Sequence, residues 1–339
     1  MTSQRATNEV PDAPGRRGQS YLIVGGAGFI GSHVATRLLR SVEVDRVVVY
    51  DSLASGSRDR LAELGIDLRL TLVQADVAEL DRLCDAAEGI DVCFHFAANP
   101  DIAAAVAQPD IDFLEGTKLT QNVLEALRTR GVPRLVYASG SGVYGDLGEF
   151  EADENHGPML PISTYGASKL ACEALISAYC HMFDLNASVF RFANVVGPRQ
   201  THGVTFDFVR KLLRDPSTLE ILGDGLQSKS YIHVEDVVDA MMLISGKRRP
   251  GFEVFNVGTD EYITVTEIAE LVARLLDLEN VRLVYAGEPR GWKGDVPVVR
   301  FSSARIRQLG WRNAHSTEEA LRASVVANLA EASGAVAVN

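Results

Sequence analysis

No stretch of this 339-residue sequence approaches the roughly 20 apolar residues that a membrane-spanning helix needs. Basic charge is also short: 33 Lys and Arg face 45 Asp and Glu, a net charge of -12. Nucleic acid and anionic membrane are therefore poor partners, although a local cluster of Arg and Lys could still hold an anionic small molecule. Cysteine is sparse. Cys84, Cys93, Cys172 and Cys180 show no CxxC spacing and no metal-ligand pattern with the 7 histidines. They read as reduced thiols in a reducing, cytoplasmic setting, with no metal site. Residues 1–19 lack an apolar core, which argues against a secretory signal and predicts a disordered tail. There is no internal repeat. What is present, 46% hydrophobic and 23% charged residues, describes a soluble globular chain long enough for two lobes.

A short apolar run, Tyr21 to Val24, leads straight into Gly25-Gly26-Ala27-Gly28-Phe29-Ile30-Gly31, and a helical pattern follows from Ser32 to Arg40. Strand, glycine turn and helix in that order form the context in which such glycines bind a dinucleotide. Gly25 allows the tight turn, Gly28 lets a pyrophosphate approach the backbone, and Gly31 lets helix and strand pack closely. Phe29 and Ile30 complete the turn, and the helix N-terminus offers unpaired N–H groups to the phosphates. A second strand, Arg46 to Tyr50, ends at Asp51. That is about 20 residues after the last glycine, where a carboxylate binds the adenosine ribose hydroxyls. It would repel a 2′-phosphate, and no Arg or Lys follows until Arg58. The expected cofactor is NAD rather than NADP.

The alternation continues with strands over residues 68–74, ending before Asp76 and Val77, and 91–98, which includes Ala97 and Ala98. A long helix over 113–130 and strands over 134–139 and 187–192 follow. Alternating strands and helices imply a doubly wound α/β parallel sheet, with ligands at the carboxyl ends of the strands. The glycine turn, Asp51, Asp76, Ala97 and Ser139 to Ser141 all fall at such ends. His95, inside an apolar run, reads as a core histidine. Beyond Arg191 the rhythm breaks. A turn at Asn194 to Arg199, a helix over 204–214, a polar hairpin-like stretch over 223–231 and a helix over 232–245 are expected. A strand over 252–257 that rejoins the sheet, a helix over 264–276 capped by Thr264 and Glu267, a strand over 282–285 and a last helix over 316–331 complete the pattern. The expected division is a dinucleotide-binding domain of residues 20–190 plus about 231–258. A smaller substrate lobe takes about 191–230 plus 259–335.

Tyr165 and Lys169 lie in a helical run over 163–181, and a spacing of four puts them on one face. A phenol is a poor base near neutrality, with an unperturbed pKa of about 10, and an adjacent ammonium favours the phenolate. Alone the pair is unremarkable, since any long helix can present it. Beside a dinucleotide site it becomes a candidate proton-transfer pair.

Together these segments resemble the extended short-chain dehydrogenase/reductase family, and within it the nucleotide-sugar 4-epimerases of the UDP-glucose/UDP-galactose type. The likeness rests on Gly25 to Gly31, Asp51-Ser52-Leu53, Phe94 to Pro100, Val143-Tyr144-Gly145, Tyr165 with Lys169, Arg191 to Pro198, and Asp295. It implies a Rossmann fold and C4 epimerisation of a nucleotide-diphosphate sugar. Tyr165 would exchange the proton of the C4 hydroxyl, and Lys169 would hold the nicotinamide ribose and support the phenolate. Asp76 and Val77 would meet the adenine. Asn194, Lys229 and Arg290 would hold the diphosphate and Asp295 the nucleoside ribose, with Asn99, Ser139 and Ser141 also in the substrate site. Helices 113–130 and 163–181 resemble those that pair into a homodimer.

Two departures stand out. The Ser or Thr that the family places three residues before Val143 is Gly140 here. Ser139 and Ser141 flank it, with Ser141 as the stand-in. Gly116 stands where the family often has Asn. The same turn separates this chain from nucleotide-sugar 4,6-dehydratases, which carry an Asp-Glu pair where Ser141 and Gly142 stand. The competing readings are an NAD-dependent sugar-nucleotide 4-ketoreductase or dehydrogenase and a non-catalytic NAD-binding protein.

Overall fold

A computed structural model describes residues 18–247 and 249–334. β1 (Gln19–Val24), β2 (Val44–Asp51), β3 (Leu70–Gln74), β4 (Val92–His95), β5 (Arg134–Gly140), β6 (Asn186–Phe192) and β11 (Phe252–Val257) form one seven-stranded sheet. Its order is β11-β6-β5-β4-β1-β2-β3, and every neighbouring pair is parallel. Leu22, Ile23 and Val24 are wholly buried in succession, and Val47 to Tyr50 in β2 are all buried too. A parallel sheet covered on both faces requires that pattern. Order reverses between β1 and β4, the switch point where such sheets bind ligands.

On one face α1 (Phe29–Leu39) and α7 (Val234–Ser245) cover Ile23, Val49, Phe94, Phe190 and Phe255. On the other, α3 (Leu80–Ala86), α4 (Leu119–Arg130) and α5 (Thr164–Phe183) cover Leu22, Val24, Tyr50 and Leu135. The short α2 (Asp59–Ala62) follows β2. A separate core lies among α6 (Val204–Arg214), α8 (Val265–Leu275) and α10 (Thr317–Ala332), packed with β8 (Thr218–Ile221) and β13 (Arg282–Tyr285). Apolar spacing dictates these faces: α6 buries Phe208, Val209 and Leu212, and α8 buries Ile268, Ala269, Leu271 and Val272. The capping box of Thr264 and Glu267 starts α8 as its sequence predicts.

Several boundaries differ from the sequence reading. β1 begins at Gln19 and takes the end of the expected tail. Residues 1–17 lie outside the described residues. α1 begins at Phe29, because the glycine turn itself opens the helix. β3 begins at Leu70, and Leu68, counted as strand from its apolar type, is 96% exposed. β4 stops at His95. There the chain bends across the end of β1, and the N–H groups of Phe96 and Ala97 both donate to the Val24 carbonyl. The helix over 113–130 opens as a π-helical turn, Phe113–Lys118. Ser168 of α5 donates to the Asp112 carbonyl at 2.7 Å just before that turn, and a Cβ on Gly116 would lie 2.3 Å from Ser168 Oγ.

The stretch over 223–231 is not a hairpin. β9 (Ser228–Lys229) pairs antiparallel with β12 (Ile263–Thr264), and β10 (Tyr231–His233) pairs parallel with β7 (Asn194–Val196). β7 occupies the expected turn, and β10 takes the first residues of the expected helix. α7 starts at Val234, where the His233 ring caps it by accepting from Glu235 N at 3.2 Å.

Candidate active site

The ends of β1, β2 and β4 converge around the glycine turn. Gly25 has φ +79° and donates to the Tyr50 carbonyl at 2.8 Å. A Cβ on Gly25 would lie 2.6 Å from Ala97 N, and one on Gly31 would lie 2.4 Å from the Gly25 carbonyl oxygen. Those neighbours are backbone and cannot yield, so only glycine fits both positions. No side chain caps α1 at Gly28. The first-turn N–H groups of Phe29, Ile30 and Gly31 are therefore left to an anion.

Asp51 is pinned beside the turn. Its Oδ2 accepts from Ala27 N at 2.9 Å and its Oδ1 from Leu53 N at 2.8 Å. Each oxygen keeps a lone pair for a ribose hydroxyl. The Asp51 carbonyl binds Ala75 N, bringing Asp76 and Val77 alongside. Val77 is buried, and Asn122 Nδ2 holds its carbonyl at 3.0 Å. Ala97 and Ala98 follow directly from β4. These groups fit a dinucleotide with free ribose hydroxyls. Arg60, which the sequence reading passed over, reaches across the turn to donate to the Ala27 carbonyl at 3.1 Å.

α5 brings the reactive pair to the end of β5. Ser163 caps it, accepting from Gly166 N at 3.1 Å. Lys169 is 5% exposed, and its Nζ donates to the Ala138 carbonyl at 2.8 Å. The same ammonium lies 5.6 Å from the Tyr165 ring centre and 4.9 Å from that of Tyr137. Burial pushes the Tyr137 phenol well up, leaving it a neutral wall. The Tyr165 ring is half-buried, and its hydroxyl has no hydrogen-bond partner among the described residues. A phenol free to exchange a proton, with a cation held beside it, is suited to acid–base work on an alcohol.

The turn after β5 carries the departure seen in the sequence. Gly140 is extended, and a Cβ there would meet nothing within 4 Å. Of the two flanking serines, Ser139 is buried and donates to Glu173 Oε1 at 2.6 Å. Ser141 is half-buried at the start of a 3-10 turn, and its hydroxyl makes no hydrogen bond among the described residues.

Asn99 is likewise committed. It is 4% exposed and donates to Asp112 Oδ1 at 2.9 Å and to the Asp101 carbonyl at 2.8 Å. The structure thus turns Ser139 and Asn99 into buried networks rather than toward a ligand.

Of the residues expected at the diphosphate, Lys229 and Arg290 both meet Asp295. Lys229 pairs with Asp295 at 2.6 Å and lies 5.1 Å from the Trp292 ring centre. Arg290 donates to the Asp295 carbonyl at 2.5 Å and pairs with Asp146 at 2.8 Å. Asn194, at the start of β7, has a half-buried side chain with no hydrogen bond among the described residues. His95 is the core residue expected. It is fully buried with Nε2 3.0 Å from Thr120 Oγ1, although its Nδ1 finds no partner among the described residues. Burial first, then the Lys169 charge, drives its pKa down to about 3.

Known proteins share this fold and much of this sequence. The sequence is 34% identical over 298 residues to a UDP-glucose 4-epimerase of Mycolicibacterium smegmatis, covering 86% of this chain and 92% of that protein. A crystal structure of a UDP-galactose 4-epimerase superposes with a TM-score of 0.81 at 36% identity, over 93% of this chain and 99% of that one. A dTDP-glucose 4,6-dehydratase from Streptomyces venezuelae, solved with NAD bound, superposes with a TM-score of 0.86 at 29% identity, over 93% and 98%. The family model matches residues 21–258, which span the glycine turn, Asp51, Tyr165 and Lys169, and the chain belongs to the NAD dependent epimerase/dehydratase family.

Proposed function

We propose that this protein is a nucleotide-sugar C4 epimerase, inverting C4 through a 4-keto sugar, with a UDP-hexose of the glucose/galactose type as its first candidate substrate. The observation that carries the reading is the pairing of an unengaged Tyr165 phenol and a buried Lys169 with a turn, Gly140-Ser141-Gly142, that holds no carboxylate. Elimination of water across C5 and C6 needs an acid and a base there, and the turn offers neither. Bound NAD supplies the hydride acceptor and donor for C4. Tyr165 removes the proton from the C4 hydroxyl and returns it, with the Lys169 ammonium held 5.6 Å from its ring centre. Ser141 donates a hydrogen bond to the same sugar oxygen, the role Gly140 cannot fill. Asn194, Lys229 and Arg290 take the diphosphate and Asp295 the nucleoside ribose. Lys229 gives a point charge where Arg would give a fork.

The α4 and α5 face, with Met182 and Phe183 exposed at its end, is the surface for a homodimer in this reading. A cytoplasmic location accords with its four free cysteines.

Proton NMR of UDP-galactose with the purified protein in deuterated buffer tests the proposal. UDP-glucose formed without deuterium at C4 supports an internal hydride shuttle. No conversion rejects this substrate, and oxidation to a 4-keto sugar that consumes added NAD+ and releases NADH supports a 4-ketoreductase or dehydrogenase instead.

A further inference from the structure

The Gly140-Ser141-Gly142 turn has almost no side chain with which to hold itself in place, yet it packs directly against Gly166, the residue after Tyr165. Its two ends are tied to one buried cluster. Ser139, Arg191 and Asn256 stand in register across β5, β6 and β11. Arg191 and Glu173 are 2% and 3% exposed, and they pair through two parallel contacts, Nη2 to Oε2 at 2.6 Å and Nε to Oε1 at 3.0 Å. Ser139 Oγ donates to the same Glu173 Oε1 at 2.6 Å. At the far end of the turn, the Tyr144 hydroxyl accepts from Arg191 Nη1 at 2.9 Å and donates to Asn256 Oδ1 at 2.7 Å. The Arg191 guanidinium also lies 4.9 Å from the Tyr144 ring centre. Glu173 is on α5, four residues after Lys169 and on the same helical face as Tyr165.

We infer that the Glu173–Arg191 pair is a positioning device for the active-site turn. It fixes the turn by Ser139 and Tyr144 and registers it against the helix that carries Tyr165 and Lys169. A buried ion pair is weak evidence for stability, because well-packed apolar residues in its place are often as stable. What such residues could not supply is directed bonds to both ends of a turn whose Gly140, Ser141 and Gly142 make no side-chain hydrogen bond among the described residues. Burial alone would lower the Arg191 pKa, but the hydrogen bonds and charge of Glu173, with Tyr144 behind them, hold it above its ordinary value. The role is distinct from catalysis, since neither residue is offered to a ligand, and it rests on the epimerase reading only for its activity readout.

The test uses mild variants, because Glu173→Gln or Arg191→Met can fail to fold. Ser139→Ala removes one tie and Tyr144→Phe the other. Each should lower kcat on the order of tenfold, since misplacement by about 1 Å can cost more than that. KM for the nucleotide sugar should stay within about twofold, and bound NAD should be retained. Hydrogen exchange over residues 139–145 should speed up in both. A lower melting temperature with unchanged kcat and unchanged exchange in the turn would overturn the inference. If the wild-type protein converts no nucleotide sugar, the epimerase reading fails, while the exchange measurement still decides whether the pair holds the turn.

Discussion

Ser141→Ala isolates one hydroxyl beside Gly140, the position where the resemblance leads one to expect a Ser or Thr. The Ser141 hydroxyl makes no hydrogen bond among the described residues, so its removal should shift stability by less than about 0.5 kcal/mol. Its loss in the transition state removes a hydrogen bond to an oxygen gaining negative charge, worth about 1.5–3 kcal/mol. That corresponds to about a 10- to 150-fold drop in kcat. The geometry also supplies a rescue. A Cβ at Gly140 meets nothing within 4 Å and the backbone there is extended, so Gly140→Ser introduces no clash. Removing the glycine should add about 0.4–1 kcal/mol of stability through the unfolded chain. In the Ser141→Ala background, Gly140→Ser should recover at least tenfold of kcat. The assay is conversion of UDP-galactose followed with bound NAD quantified in each variant. Wild-type kcat in Ser141→Ala would refute the assignment. Loss of activity that tracks loss of NAD would refute it too, because the residue would then be supporting the cofactor.

Two further outcomes follow from packing and charge. Gly116→Ala places a Cβ 2.3 Å from Ser168 Oγ, a short side chain already bonded to the Asp112 carbonyl and to Thr117. Overpacking should outweigh the gain in helix propensity and cost about 1–3 kcal/mol in a melting experiment, with Ser168→Gly relieving it. An unchanged melting temperature would show that the π-helical turn adjusts freely.

Glu235 meets His33 at 2.8 Å and Arg37 at 3.0 Å. The His33 hydrogen bond first, then its charge and those of Arg37, hold the Glu235 carboxyl down to about 2 from 4.5. A depressed acid stabilises the fold above its unfolded pKa, and that contribution is lost as pH falls from about 5 through about 2. Taken whole the shift is worth about 3 kcal/mol. The side chain is 35% exposed, and screening reduces this to about 1–2 kcal/mol. Glu235→Gln should therefore flatten the acid limb of the stability profile, and an unchanged slope below pH 5 would count against the pair.

What was legible in the sequence was whatever a local pattern determines. The ranges of α6, β11 and β13 follow from periodicity and turn residues alone. The glycine turn is legible because strand, turn and helix are contiguous. Tyr165 and Lys169 are legible because one helical turn separates them. The pieces that escaped are those whose partners lie far away in the chain. β9 exists because Ile263 and Thr264 reach Ser228 and Lys229, and β7 because Tyr231 to His233 runs beside Asn194 to Val196. Strands of two or three residues carry no period of their own. The π-helical turn at Gly116 is set by Ser168, a residue on another helix.

The same distinction explains the site. Ser139 and Ser141 look interchangeable in sequence, each a serine beside Gly140. Glu173 separates them by accepting the Ser139 hydroxyl, and Glu173 in turn is held by Arg191, a charged residue within the strand expected over 187–192. A buried carboxylate and guanidinium need each other, because either alone would be an uncompensated charge in the interior. Once that pair is in place, the Ser139 hydroxyl is consumed by it, and the Ser141 hydroxyl is left without a partner among the described residues. In the proposed mechanism the choice of Ser141 over Ser139 is thus made by that buried pair.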